Sequence, residues 1–322
     1  MIKAIHRRAV ATHPKRKTPR RKFLDGRKLR KSWQLYVVFA LPFFYILLFH
    51  YLPMYGIQLA FKEYDGTLGI WGSPWVGLDN FKRFISSYNF WQILFNTVSL
   101  SLYSLLAGLP IPILLAISLN ECRFSRFKKL VQTVSYAPHF ISTVVMVSMI
   151  IMALSVNNGL INNILALFHL ERVNFMAEPT MFKTIYVLSG IWQGAGYSSI
   201  IYLATLSGID PTLYEAAIID GASKMKKIWY IDLPFLVPTM VILLILAMGG
   251  LMNVGFEKVF LMQNSLNLSS SEIIATYVYK LGIERADFSY STAIGVFNSV
   301  INLLLIVSMN KVARKISDVS LW

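Results

Sequence analysis

At 322 residues, 55% of them hydrophobic and only 15% charged, the chain is too apolar for a soluble protein of its length, whose surface would need far more polar residues. The formal net charge of +15 invites a nucleic-acid reading, but 13 of the 31 basic residues are crowded ahead of Trp33, directly before an apolar run. That placement points to topology control and attraction to anionic headgroups rather than to nucleic acid.

In chain order, residues 1–33 form a basic, Pro-punctuated arm, and 34–322 a membrane domain with six candidate spans at about 34–60, 91–119, 130–154, 184–206, 236–256 and 290–310. Each is long enough for a helix crossing about 30 Å of hydrocarbon, which takes roughly 20 residues. None contains Asp, Glu, Lys or Arg, and a charge at mid-membrane costs about 2.5–3.5 kcal/mol on insertion scales. A buried helix of a soluble protein would be shorter and amphipathic, whereas "LVPTMVILLILAMGGLMNVGF" is apolar on every face. The arm is not a cleaved signal peptide: its basic stretch is too long, and the apolar run after it lacks an A-x-A site.

Pro42 and Pro53 are expected to kink or end the first span. The stretch "KEYDGTLGIWGSPWVGLDNFKRF" follows, with Asp79 capping an interfacial helix and Trp71, Trp75 and Trp91 suited to the headgroup zone. A short basic loop around Cys122, the lone cysteine, joins spans 2 and 3. In span 4, Gly194 and Gly196 permit close helix approach or local unwinding. A cytosolic N-terminus places 23 of the 31 basic residues on the cytosolic side, so both termini are expected there.

Between spans 4 and 5 lies "EAAIIDGASKMKKIWYIDLP". Asp210-Pro211 is a helix start, with Asp as N-cap and Pro in the first turn. Leu213, Ala216 and Ala217 share a face whose small residues allow close approach. Gly221 breaks the helix by taking positive φ, Ser223 caps a second one carrying Met225, Ile228 and Trp229, and Pro234 is expected to end it. Two capped amphipathic helices, rigidly continuous with the flanking spans, make a surface able to pass a push from a soluble partner into the membrane.

The spacing of Glu215, Ala216, Ala217, Gly221, Ile231, Leu233 and Pro234, with Asp220 before the glycine, resembles the EAA loop of ABC importer permeases. The resemblance implies an all-α membrane protein with the six-helix, MetI-like type I importer fold, in which 210–234 is the cytosolic coupling helix. "WVGLDNFKRF", "FEKVFLMQN" and the closing "SLW" further resemble the complex-oligosaccharide branch, which includes LplB-like proteins and alginate- and pectin-fragment importers. That implies a permease subunit for oligosaccharide import in a bacterial cytoplasmic (inner) membrane. Its implied partners are a second homologous permease, two ATPase subunits and an extracytoplasmic solute-binding protein. The chain itself is expected to be no enzyme and to bind no cofactor or metal. It has no phosphate-cradling G-x-x-x-x-G-K-[ST] loop, so ATP and Mg belong to the partner ATPase. His6, His13, His50, His139 and His169 have no paired metal-ligand spacing.

A pathway for sugar needs uncharged hydrogen-bonding groups and flat aromatic faces. Candidates are Asn96, Gln193, Asn253, Asn298 and Asn302, with Trp192 and Tyr197; Asn298 and Asn302 are four apart and share a helix face. The family resemblance places Asn253 at a substrate-contacting position of span 5, and Trp192 and Tyr197 in a W-x-G-x-x-Y segment bordering the pathway. The plainer reading is that such amides glue helices together. A uronate cargo would call for compensating cations, which the spans lack; Lys258 is the cation beside the outer end of span 5. An ion-gradient carrier is the alternative, disfavoured because His50 and His139 are the only ionisable candidates within spans. An importer of a non-sugar cargo, or a membrane sensor, also fits the spans alone.

Overall fold

A computed structural model describes residues 33–316. The basic arm up to residue 32 and the closing "SLW" lie outside the described residues. The chain divides into two compact units, one ending at Tyr55 and the other beginning at Gly56. Among the described residues, strand pairing is limited to one antiparallel bridge between Lys62 and Trp75.

In the first unit, α1 (Trp33–Ile46) passes through Pro42, then widens into a π turn at Leu47–Tyr51. The Leu52 amide bonds back five residues to Leu47, and Pro53 follows at once. Pro53 is thus preceded by a wider turn, which relieves the clash of the proline ring with the carbonyl four residues earlier.

In the second unit, Asp79 opens α2 (Asp79–Ile85) as its first residue and not as its cap; its carboxylate pairs with Lys82 at 2.9 Å. Helices α3 (Phe90–Gly108) and α4 (Pro110–Asn120) run on as one apolar stretch of 31 residues. Two polar side chains within α3 are satisfied locally: Thr97 and Ser101 donate to the carbonyls four residues back, at 2.8 and 2.7 Å.

The third expected span is not one rod. Helices α5 (Ser125–Tyr136) and α6 (Thr143–Ala153) are separated by a 3-10 turn at 137–140, and the two parts are bent by 101°. Pro138 removes a backbone donor at the break, and Ser142 restarts the chain by capping the Val145 amide. A short helix α7 (Leu160–Leu167) follows.

Helix α8 (Pro179–Leu206) is continuous over 28 residues, about 42 Å at 1.5 Å per residue. It packs against α3, α4 and α5 and lies at the centre of the unit. Of the two expectations for its glycines, Gly196 takes close approach. A Cβ there would lie 2.0 Å from the Ser135 carbonyl oxygen, so α5 and α8 touch backbone to backbone. Among the described residues, four helical stretches are long and apolar enough to cross a membrane, 33–61, 90–120, 224–249 and 288–315, and the bent pair makes a fifth if its two parts are one span. Helix α8 has the length but carries Gln, Tyr, Ser and Gly where a lipid-facing span would carry Leu.

After α8 come α9 (Pro211–Ile219), α10 (Lys224–Lys227) and α11 (Leu233–Gly249), then α12 (Phe256–Met262), α13 (Ile274–Tyr279) and α14 (Phe288–Ile316). Buried clusters tie these together: Phe84, Phe90, Ile93 and Ile294 join α2, α3 and α14, while Ile117, Tyr202, Leu206 and Leu236 join α4, α8 and α11. Within a membrane such clusters hold helices together by close packing rather than by removing apolar surface from water.

Candidate functional site

The chain leaves α8 and makes a compact element before entering α11. Asp210 accepts from the Thr212 amide at 3.0 Å, and this bond, with one from the Thr212 hydroxyl, holds its carboxyl below the usual range. At the far end of α9, the Gly221 amide bonds to Ile218 and the Ala222 amide to Ala217, at 3.0 and 2.9 Å. That pair of bonds is the Schellman arrangement, and it requires the φ of +71° that Gly221 adopts. Ser223 then caps α10 through the Lys226 amide.

Pro234 does not end this second helix. A π turn at Ile228–Asp232 precedes it, the Leu233 amide bonds back to Ile228, and the helix continues into α11. The same device stands before Pro53. The physical consequence is a continuous helical rod from Lys224 to Gly249. Asp232, fully buried, accepts a hydrogen bond from the Tyr214 hydroxyl and so clamps α9 to that rod. Burial, and then Asp232, push the Tyr214 phenol well above its ordinary pKa.

Of the expected coupling residues, Glu215, Ala216, Asp220, Gly221 and Pro234 are exposed, and Ala217 and Leu233 are half-buried. Leu213, Ile218, Ile219, Met225, Trp229 and Tyr230 are exposed beside them. This end of the bundle therefore carries an apolar, small-residue patch of the kind that marks an interaction surface.

Away from that element, a cavity of about 450 Å³ opens between α3–α4, α8 and α11. A second, of about 490 Å³, shares Ser104, Gly108, Pro112, Ser198 and Ala247 with it. Gln193 and Ser101 line the first, and the Ser104 hydroxyl has no hydrogen-bond partner among the described residues. Gln193 also donates to the Ile141 carbonyl at 2.9 Å. Tyr197 lines the second cavity and stacks on His139, with ring centroids 3.9 Å apart and planes 3° off parallel. Trp192 faces a separate groove beside α5.

The structure brings three of the expected amides together. Asn298 and Asn302 on α14 both donate to the Asn253 carbonyl oxygen, at 2.9 and 3.1 Å, and Asn302 accepts from the Met252 amide. Asn96 stands elsewhere: it is buried, and its amide donates to the Ser269 and Glu272 carbonyls, pinning α3 to the segment before α13.

Sequence reasoning gave Lys258 only a passing place. It lies on α12, in the segment between the fifth and sixth expected spans, and it is the one charged side chain lining the first cavity. It is buried, donates to the Tyr186 carbonyl at 2.7 Å, and sits 4.4 Å from the Tyr186 ring centroid. Gly190 makes room for it, since a Cβ there would be 3.2 Å from Nζ. Burial lowers its pKa to about 8, so the ammonium remains the majority form at neutral pH. Its position was hard to see because α12 is short and folds back into the bundle through contacts with α6 that no local pattern announces.

The family model described as binding-protein-dependent transport system inner membrane component matches residues 108–318. The polygalacturonan/rhamnogalacturonan transport system permease protein YteP of Bacillus subtilis is 43% identical over 295 residues, 92% of each chain. Protein LplB of the same organism is 41% identical over 91% of this chain and 92% of its own. A bacterial alginate ABC transporter, in a crystal structure in complex with an alginate pentasaccharide-bound periplasmic protein, contains a chain 38% identical to this one. The two superimpose with a TM-score of 0.85 over 92% of this chain and 99% of that one.

Proposed function

The chain belongs to the binding-protein-dependent transport system inner membrane components, and from that membership we propose that it is one of two permease subunits of an ATP-driven oligosaccharide importer. It carries the all-α, MetI-like fold of these permeases and does no ATP chemistry of its own. The observation that carries the finer reading is the exposed α9–α10 element, capped at both ends, clamped through Tyr214 and Asp232, and continuous with α11.

In this reading the element faces the cytosol, as do both termini, and docks Glu215, Ala216, Ala217, Asp220 and Gly221 into a separate ATPase subunit. Leu233 and Pro234 pass the movement into α11. ATP-driven closure of two ATPases then switches the pathway between inward- and outward-facing states, which both ends must bind differently for the coupling to work. The bent α5–α6 pair and the polar helix α8 serve as the remaining two of six spans. A solute-binding protein delivers the sugar from outside, and Gln193, Tyr197, Trp192 and the Asn253–Asn298–Asn302 amides contact it along the way. Asn96 supports that wall from behind. The cargoes of two relatives, polygalacturonan/rhamnogalacturonan and alginate, favour a uronate-containing oligosaccharide here too.

The test is Gly221→Asp in the assembled importer. Any L side chain is strained at this φ, and aspartate adds bulk and charge at the docking turn. We expect normal membrane insertion, loss of co-purifying ATPase and loss of uptake. Normal uptake by this variant would refute the docking role.

A further inference from the structure

The first cavity holds one charge, and that charge has no ion-pair partner among the described residues. The three ion pairs there are Lys82–Asp79, Arg83–Asp287 and Lys280–Glu272; none involves Lys258. A buried ammonium without a carboxylate is costly to keep. A plain packing role would be filled more cheaply by Met or Leu.

The surroundings hold this one in place without neutralising it. The Tyr186 carbonyl takes one of its three N–H donors, and the Tyr186 ring lies beside it. Gly190, with no side chain, lets Nζ lie close against α8. The rest of the lining is uncharged, with serine hydroxyls and a glutamine amide that suit a sugar's own hydroxyls. Further along the same face of α8, seven residues before Gly190, Lys183 repeats the pattern. It is half-buried, donates to the Ser99 hydroxyl at 2.7 Å and lies 4.8 Å from the Phe95 ring, again with no carboxylate.

We infer that Lys258 recognises the carboxylate of a uronate residue as an acidic oligosaccharide passes through this cavity, making it a specificity-determining residue of the pathway. The inference rests on the importer reading and deepens it: hydroxyls and amides serve any sugar, whereas an unneutralised cation favours an acidic one. Lys183, nearer the start of α8, gives the same carboxylated chain a second point of attraction. The bond to Tyr186 preorganises the ammonium, so little side-chain entropy is lost when the carboxylate arrives.

The experiment uses the complete importer, with its partner permease, ATPases and binding protein, in proteoliposomes. Uptake of a galacturonate oligosaccharide is compared with uptake of its carboxyl-reduced, neutral counterpart of equal length. Wild type is set beside Lys258→Gln, which keeps a donor for the Tyr186 carbonyl but removes the charge, and beside Lys258→Arg. The binding protein is the same in every arm, so its selectivity cancels between wild type and variant. Loss of one charge-assisted contact is expected to lower acidic uptake about tenfold in Lys258→Gln. Neutral uptake should be unchanged, and Lys258→Arg should retain most of the preference.

An equal fall for both sugars, or no fall for either, would overturn the inference and leave Lys258 a packing residue. If Lys258→Gln fails to assemble, Gly190→Ala keeps the charge but crowds Nζ at 3.2 Å, and the acid-to-neutral ratio must then drop in that variant. A wild-type complex that takes up only the neutral sugar would refute this inference alone. One that takes up neither, and whose ATPase answers to neither, would refute the importer reading itself.

Discussion

Replacing Tyr214 by Phe deletes one hydroxyl from the joint between α9 and the rod leading into α11. Asp232 is fully buried, its Oδ1 accepts from that hydroxyl, and its Oδ2 has no hydrogen-bond partner among the described residues. A buried acceptor left unsatisfied costs about 1–3 kcal/mol. The variant should therefore destabilise the complex by about 2 kcal/mol. It should also raise ATP hydrolysed per sugar moved, because the docking element is no longer fixed to the helix it must push. The decisive assay is a double-mutant cycle in the purified importer, read by denaturant unfolding and by coupling ratio. Asp232→Leu removes the group that needs the hydroxyl, so Tyr214→Phe should cost far less in that background, with a coupling energy of about 1 kcal/mol or more. Because the raised phenol pKa protects the neutral form, the contribution of this joint is intact below pH 10. It is lost as pH rises through the unfolded and then the folded value. Additive effects of the two substitutions, or a stability difference that vanishes between pH 6 and 9, would refute the clamp.

At Gly196 an added methyl would meet the Ser135 carbonyl at 2.0 Å; Gly196→Ala should separate α5 from α8 and reduce folded yield in detergent, read by size-exclusion chromatography. Asn253→Leu leaves the Asn298 and Asn302 amides without their shared acceptor and should lower uptake more than Asn253→Asp, which keeps an acceptor oxygen. Asp210 caps α9 through a bond that lowers its own pKa. The cap is therefore present above the ordinary carboxylate range and lost as pH falls through the folded value. Hydrogen exchange should show the first α9 amides losing protection in Asp210→Ala at neutral pH, and in wild type only in acid.

Much of the coupling element was readable because it is local. Asp210, Gly221 and Ser223 each act on amides within five residues, so their roles follow from backbone chemistry without knowledge of the fold. The error there was also local: Pro234 reads as a stop, but a π turn ending at Asp232 lets the helix pass it. Asp79 was misjudged by a single position, since a side chain suited to capping serves as well in the first turn, where it meets Lys82. The third span differs in shape from a single rod. Pro138 and the Ser142 cap break the helix at 137–142, but the bend of 101° and the packing of α6 beside α12 are not written in that stretch.

The candidate pathway divides along the same line. Spacing alone put Asn298 and Asn302 on one helix face, one turn apart. That both point at Asn253, 45 and 49 residues away, depends on how the segment after α11 lies against α14. Asn96 looks like an equal candidate in sequence, but it lies against the Ser269 and Glu272 carbonyls.

From its residues alone, then, the chain determined that it lives in a membrane, where its helices begin, and that a capped helical element stands between two spans. Hydrophobic length, capping groups and glycine conformation act over a turn or two and are written in consecutive residues. Only the tertiary structure decided which polar groups face a cavity and which are consumed in holding helices together. In hydrocarbon every buried donor must find an acceptor, and whether Lys258 or Asn96 has one to spare depends on residues far along the chain.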